Sequence, residues 1–189
     1  MSAKFKVSFT LDEDDANYFR NLYRKAKQGA KLQDPETIVN DARGIVAQVR
    51  ESKKTPQFVL EAIAVLEDLT DLIVDDEYAA PQRVRNEVLA GVAYFSNPED
   101  LIPDHVPGLG FLDDAIMVKF IEEEFRHELW GYRKFKKSRD ISEQRPWADP
   151  GRERLNRRLE NDRKKIRGEI AKREAKEAEK KQAAGRGGW

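Results

Sequence analysis

All-α is the fold class that this sequence predicts: a helical bundle of about five helices, with one short N-terminal strand and a long charged C-terminal helix. Three observations lead there. Apolar residues recur at i, i+3/i+4 and i+7 through five segments, the spacing that gathers them on one helix face. Prolines stand where those segments open, at Pro35, Pro56 and Pro81, where a missing N–H costs nothing. Period-two alternation occurs once, with Phe5, Val7, Phe9 and Leu11 set between Lys6, Ser8 and Thr10, the pattern of a strand with one apolar face.

That strand cannot satisfy its own backbone donors and acceptors. Its expected partner is the same strand of a second copy, making a homodimer through Phe5–Leu11; the other reading is an arm docked on helices. Thr10-Leu11-Asp12-Glu13 matches a capping box. It opens a first helix to about Lys27, with Phe19, Leu22 and Tyr23 inward. Asp34-Pro35 starts a second, aspartate as cap and proline at its first position, with Ile38, Val39, Ala42, Ile45, Val46 and Val49 as its stripe. Thr55-Pro56 opens a third in the same way, with Val59, Ile63, Leu66 and Ile73 inward. The acidic run Glu67, Asp68, Asp71, Asp75, Asp76 and Glu77 falls on its outer side and beyond its end. Ala80-Pro81 begins a fourth, carrying Val84, Val88, Val92 and Phe95.

The chain then turns on Val88 to Asp114. Three prolines (Pro98, Pro103, Pro107), two loop glycines (Gly108, Gly110) and five acids (Glu99, Asp100, Asp104, Asp113, Asp114) lie in it. Prolines fix φ and remove donors, so the segment reads as a stiff elbow. Its apolar residues, among them Ile102, Phe111 and Leu112, are expected to pack beneath it. Asp113-Asp114 is expected to cap a fifth helix carrying Ile116, Phe120, Ile121, Phe125, Leu129 and Trp130.

Pro98-Glu99-Asp100-Leu101-Ile102-Pro103-Asp104, followed by Pro107, Gly110 and Asp113-Asp114, resembles the P-x-D-L-I-P-D…P-x-x-G-x-x-D-D core of the DUF1232 (YkvA-like) family. The resemblance covers residues 84–120. It implies a small helical module without an assigned reaction, some members of that family being membrane-associated. Glu99 and His105 depart from the pattern, standing where the family has apolar residues, which argues against a membrane-inserted form here.

With 39% hydrophobic and 37% charged residues, the chain is poorer in apolar residues than an average globular protein. That composition fits a modest core with a long solvated extension. The absence of cysteine removes disulfides, thiolate metal sites and cysteine nucleophiles. No apolar run reaches the length of a membrane span, and no signal-peptide pattern follows Met1. The expected location is cytoplasmic, or peripheral to a membrane surface. The zero net charge conceals an asymmetry. Residues 1–132 hold 15 Lys/Arg against 25 Asp/Glu, and residues 133–189 hold 20 against 10. The expected organisation is a helical domain over 1–140, a linker over 141–151, and a charged helical tail over 152–189 with a disordered end.

Three sets of residues stand out chemically. Asp100, Asp104, Asp113 and Asp114 supply the carboxylate oxygens that Mg²⁺, Mn²⁺ or Ca²⁺ prefers, with Glu99 and His105 at the rim; the alternative is that each aspartate caps a turn or helix end. Glu124-x-x-His127 is half of a di-iron pattern, but a second half is missing, so His127 reads as a boundary histidine. Arg133, Lys134, Lys136, Lys137 and Arg139, interleaved with Tyr132 and Phe135, form a basic cluster suited to RNA or an anionic membrane surface. In the tail, Leu155, Leu159, Ile166 and Ile170 make a short heptad-like seam amid thirteen bases and seven acids. Such a helix is either a polyanion surface, a solvated rod held by its own i, i+4 pairs, or a tail lying on the acidic half of its own protein.

No Gly-rich phosphate loop and no nucleophile-plus-base pattern occurs. The sequence therefore favours a non-enzymatic adaptor, presenting the Asp/Pro elbow to an unidentified protein partner and the basic tail to an acidic one. The rival readings are a metal-dependent hydrolase built on the four aspartates and a nucleic-acid- or ribosome-associated accessory protein. No cofactor is expected beyond a divalent cation.

Overall fold

A computed structural model describes residues 10–52, 55–96, 102, 111–144 and 152–186. Six α-helices follow one another: α1 (Glu13–Gly29), α2 (Pro35–Glu51), α3 (Gln57–Val74), α4 (Gln82–Val92), α5 (Leu112–Glu143) and α6 (Arg152–Arg186). Short 3-10 turns cover Ala30–Leu32 and Ala93–Ser96. No strand occurs among the described residues. Most of the expected strand, through Phe9, lies outside them; Leu11, its last residue, packs against the helical core instead.

The first helix begins two residues later than its expected cap. Asp12, not Thr10, stands at the N-cap, accepting from Asp15 N at 2.9 Å while Asp15 accepts from Asp12 N at 3.2 Å. An aspartate pair there also answers the positive end of the helix dipole. At α2 the expectation holds, with Asp34 accepting from Thr37 N at 2.9 Å and Pro35 in the first turn. At α3 it fails: Pro56 occupies the N-cap position without a side-chain cap. Thr55 donates its hydroxyl backwards, to Val49 O and Ser52 O, tying α3 to the end of α2.

Helix α3 is the most apolar, burying Val59, Ala62, Ile63, Val65, Leu66, Leu69 and Leu72. It lies in the middle, packed against α2, α4 and α5. Beyond its end Asp75 accepts from Glu77 N and Tyr78 N, and Ala79 takes a left-handed φ of 44°. This turn swings Tyr78 into the core, where it is fully buried.

Helix α5 starts at Phe111, itself left-handed (φ 64°) and buried, a conformation that costs a bulky residue energy unless its surroundings hold it. Asp113 and Asp114 are not its caps. They sit inside its first turn, both buried, and Asp113 Oδ2 accepts from Ile102 N at 3.2 Å. The helix bends at Phe125, whose φ and ψ leave the helical range, and continues through the basic cluster to Glu143.

The charged tail completes the core. Leu159, Ile166 and Ile170 of α6 are buried in the same cluster as the α3 and α5 residues, with Leu155 packed beside them. Each such side chain contributes about 2 kcal/mol on leaving water. Pairings of Ser138 with Asp162, Lys134 with Glu169 and His127 with Glu177 run in opposite order along the two helices, so α6 lies antiparallel on α5. Gly131 allows the approach: a Cβ there would stand 2.5 Å from Ile170 Cδ1 and 3.1 Å from Ile166 Cγ2.

Candidate interaction surface

The basic cluster of α5 and the acidic run of α3 face one another. Arg133 Nε lies 2.7 Å from Asp68 Oδ2, and Lys136 Nζ lies 3.2 Å from Asp68 Oδ1. Arg139 Nη1 reaches Asp75 Oδ2 at 2.8 Å and Glu77 Oε2 at 2.9 Å. From the other flank Arg43 of α2 meets Asp71 at 3.3 Å and Arg50 meets Glu67 at 2.5 Å. The acidic run is thus an inter-helix seam. Most of these pairs are half-exposed and individually weak, but Asp75 is nearly covered and its set is cooperative.

Burial works against the Arg139 charge, yet hydrogen bonds to Glu77 and Asp75 outweigh it and hold the guanidinium above the usual arginine range. Lys136 is also raised: burial opposes its charge, and Asp68 overcomes that. Tyr132 donates to Asp75 Oδ2 at 3.2 Å; burial first, then the Asp75 charge, pushes its phenol well above the ordinary value.

Between α5 and α6 the charges are better buried. Arg167 Nη1 lies 2.6 and 2.8 Å from the two Glu128 oxygens. Tyr78 donates to Glu128 Oε2 at 3.2 Å, and the Arg167 guanidinium rests 4.5 Å from the centre of the Tyr78 ring. Burial, followed by the Glu128 charge, raises the Tyr78 phenol far above its ordinary value. Arg173 covers the Trp130 ring at 3.7 Å.

Of the basic candidates, then, Arg133, Lys136 and Arg139 hold α3 and Lys134 holds Glu169 of α6. Lys137 is exposed and has no ion-pair partner among the described residues. It lines a shallow groove of about 410 Å³ along α5, with Leu129 and Trp130 at its base. Glu124 and His127 are drawn apart: Glu124 meets Lys27 at 2.6 Å, and His127 Nε2 meets Glu177 Oε2 at 2.7 Å. Glu99, Asp100, Asp104 and His105 lie outside the described residues. No cluster of three or more metal-ligating side chains occurs among those described, and no described helix is long and apolar enough to cross a membrane.

Sequence reasoning missed Asp75, Tyr78, Glu128 and Arg167 as the centre of this arrangement. A signal was present: Glu128 sits one residue from Leu129 on a helix whose apolar side includes Phe125 and Tyr132, so its carboxylate falls near that side.

This architecture is a helical bundle closed by its own charged C-terminal helix. Residues 85–120, which run from α4 into the opening of α5, match the family model described as "Protein of unknown function (DUF1232)". No curated protein matches the chain, and no solved structure does.

Proposed function

We propose that the chain is an interaction protein that works by presenting surfaces of fixed shape. The observation that supports this most is how its interior polar groups are used. Asp75, Tyr78, Glu128, Tyr132, Arg139 and Arg167, all largely covered, are engaged with one another where α3, α5 and α6 meet. Groups tied in this way set the angles between helices and leave their acid–base capacity spent on structure. The segment joining α4 to α5, which carries Glu99 and His105, is the surface offered to a protein partner in this reading, and two copies pair through the period-two residues before Thr10.

The test is reconstitution. Partners captured by the full-length protein are purified and rebound, with Glu99→Ala/His105→Ala as the comparison. Loss of binding by this variant at unchanged helicity supports the reading. Saturable heats with Mg²⁺, Mn²⁺ or Ca²⁺ that vanish in Asp100→Asn/Asp104→Asn would replace it by the hydrolase. Because α6 packs over Gly131 and buries Leu159, Ile166 and Ile170 in the core, a version truncated at Asp140 would uncover the core and report on folding, so point substitutions are required.

A further inference from the structure

In the sequence of α6, acids dilute bases throughout; in the fold most of the acids are engaged, while Glu174 and Glu179 stay exposed toward its C-terminal end. Glu153 and Glu160 are taken by Arg157 and Lys164, Asp162 accepts from Ser138 at 2.6 Å, and Glu169 and Glu177 bind Lys134, Arg126 and His127 of α5. The seam of Leu159, Ile166 and Ile170 faces the core, so the opposite face looks outward. On that face stand Arg154, Arg158, Lys165, Lys172 and Lys176, all exposed. None has a hydrogen-bonded acid among the described residues. Asp162 and Glu169, which could have paired with Arg158, Lys165 and Lys172 at helical spacing, accept their hydrogen bonds from Ser138 and Lys134 of α5, and Glu169 keeps only a coulombic interaction with Lys165.

We infer that this outward face of α6 docks the phosphate backbone of a nucleic-acid duplex. The inference rests on the interaction reading above and names one partner class. Arg154 to Lys176 span about 33 Å at 1.5 Å per residue, close to one turn of a duplex. Between the cations lie Asn161, Gly168 and Ala175, and nothing stands within 4 Å of where a Gly168 Cβ would be. The face is therefore unobstructed at its middle, where a rod of regularly spaced phosphates can approach. A membrane helix would carry Trp, Phe or Leu on its lipid-facing side, and a protein partner would need aromatic anchors or pockets. This face has neither. What it offers is a line of cations, the footprint of sequence-independent phosphate binding.

The experiment uses full-length protein with labelled 20-base-pair RNA and DNA duplexes between 50 and 200 mM salt. Five phosphate contacts give a log–log slope of about −4.5, a loss of roughly 500-fold across that range. The variant Arg154→Gln/Arg158→Gln/Lys165→Gln/Lys172→Gln/Lys176→Gln is expected to lose at least tenfold at 50 mM with a flattened slope. Lys25→Gln/Lys31→Gln, exposed charges elsewhere, is expected to bind like the unmodified protein. If the quintuple variant loses helicity, Lys172→Glu alone carries the test and is expected to weaken binding severalfold. Duplex binding unchanged by these stripe substitutions overturns the inference. So does binding to poly-glutamate or phosphatidylserine vesicles without binding to either duplex, an outcome that leaves the interaction reading standing. Absence of binding to every polyanion also overturns it.

Discussion

Arg139 Nη1 on α5 lies 2.8 Å from Asp75 Oδ2 at the end of α3, across 64 residues of chain. The same carboxylate accepts from Tyr132 Oη and from the amides of Glu77 and Tyr78. With 9% of its side chain exposed, it holds the α3 turn and fastens α5 to it. Asp75→Ala leaves a buried phenol and two turn amides without their acceptor and the Arg139 guanidinium with Glu77 alone, and is expected to cost about 2–3 kcal/mol. Asp75→Asn keeps an acceptor and should cost less. Urea unfolding of both variants checks this; equal midpoints for Asp75→Ala and the unmodified protein would be incompatible with it.

The Glu128–Arg167 contact does for α6 what Asp75–Arg139 does for α5. Both side chains are mostly covered, 11% and 23% exposed, and Glu128 also takes the Tyr78 hydroxyl. Removing either partner strands the other. Glu128→Ala is expected to cost about 2–3 kcal/mol, below the usual range for a fully buried pair because Arg167 keeps some solvent. In a double-mutant cycle with Arg167→Ala the two losses should fall short of adding by at least 1 kcal/mol. Strict additivity would mean the contact does not hold the two helices together.

Much of this build is readable from the chain. The apolar stripes of α2 and α3, the Asp34-Pro35 start and the match over residues 85–120 follow from local spacing, and so does the Leu155–Ile170 seam. What the seam faces is not local. The sequence alone cannot say whether four aliphatics in a charged helix meet a second copy, water or α5; Gly131, which admits Ile170, becomes informative only when both are in view. The setting of the basic cluster is not local either. Lys and Arg at positions 133–139 look free until the acidic run of α3, some 65 residues earlier, is folded against them. The cap of α1 moves from Thr10 to Asp12 because a shift of two residues changes little in the pattern.

Gly131 marks the closest approach of α5 and α6, and its replacement sets two effects against each other. Alanine in mid-helix gains about 1 kcal/mol in propensity. Its Cβ would also meet Ile170 Cδ1 at 2.5 Å and Ile166 Cγ2 at 3.1 Å. The Ile170 terminus can swing away, but the branched Ile166 is stiff, and overpacking costs about 1–3 kcal/mol. The clash wins: Gly131→Ala is expected to lower stability by about 1 kcal/mol. Ile170→Val, which removes the offending methyl, should restore most of that loss in the double variant. Thermal melts of the three proteins decide it, and a stabilised Gly131→Ala would show that α6 is held less closely than described.

The far end of α6 is fastened by Glu177, and that fastening is sensitive to acid. Hydrogen bonds from Lys181, then Arg126 and His127, lower its carboxyl from the ordinary 4.5 to about 2. A carboxyl depressed by folding adds stability that is fully present above its unfolded value and is lost as pH falls through the folded one. The contribution of Glu177 is therefore intact above about pH 5 and drains away toward pH 2. Among the described residues Arg126 and His127 link it to α5, so the loss should appear as earlier hydrogen exchange over residues 174–181 while α3 stays protected. Carboxyl NMR of Glu177 is expected to titrate near 2, and Glu177→Gln should show fast exchange at this end even at neutral pH. A Glu177 midpoint above 4, or exchange in the variant no faster than in the unmodified protein, would mean that α6 is held by its aliphatic seam alone and that this carboxylate fastens nothing.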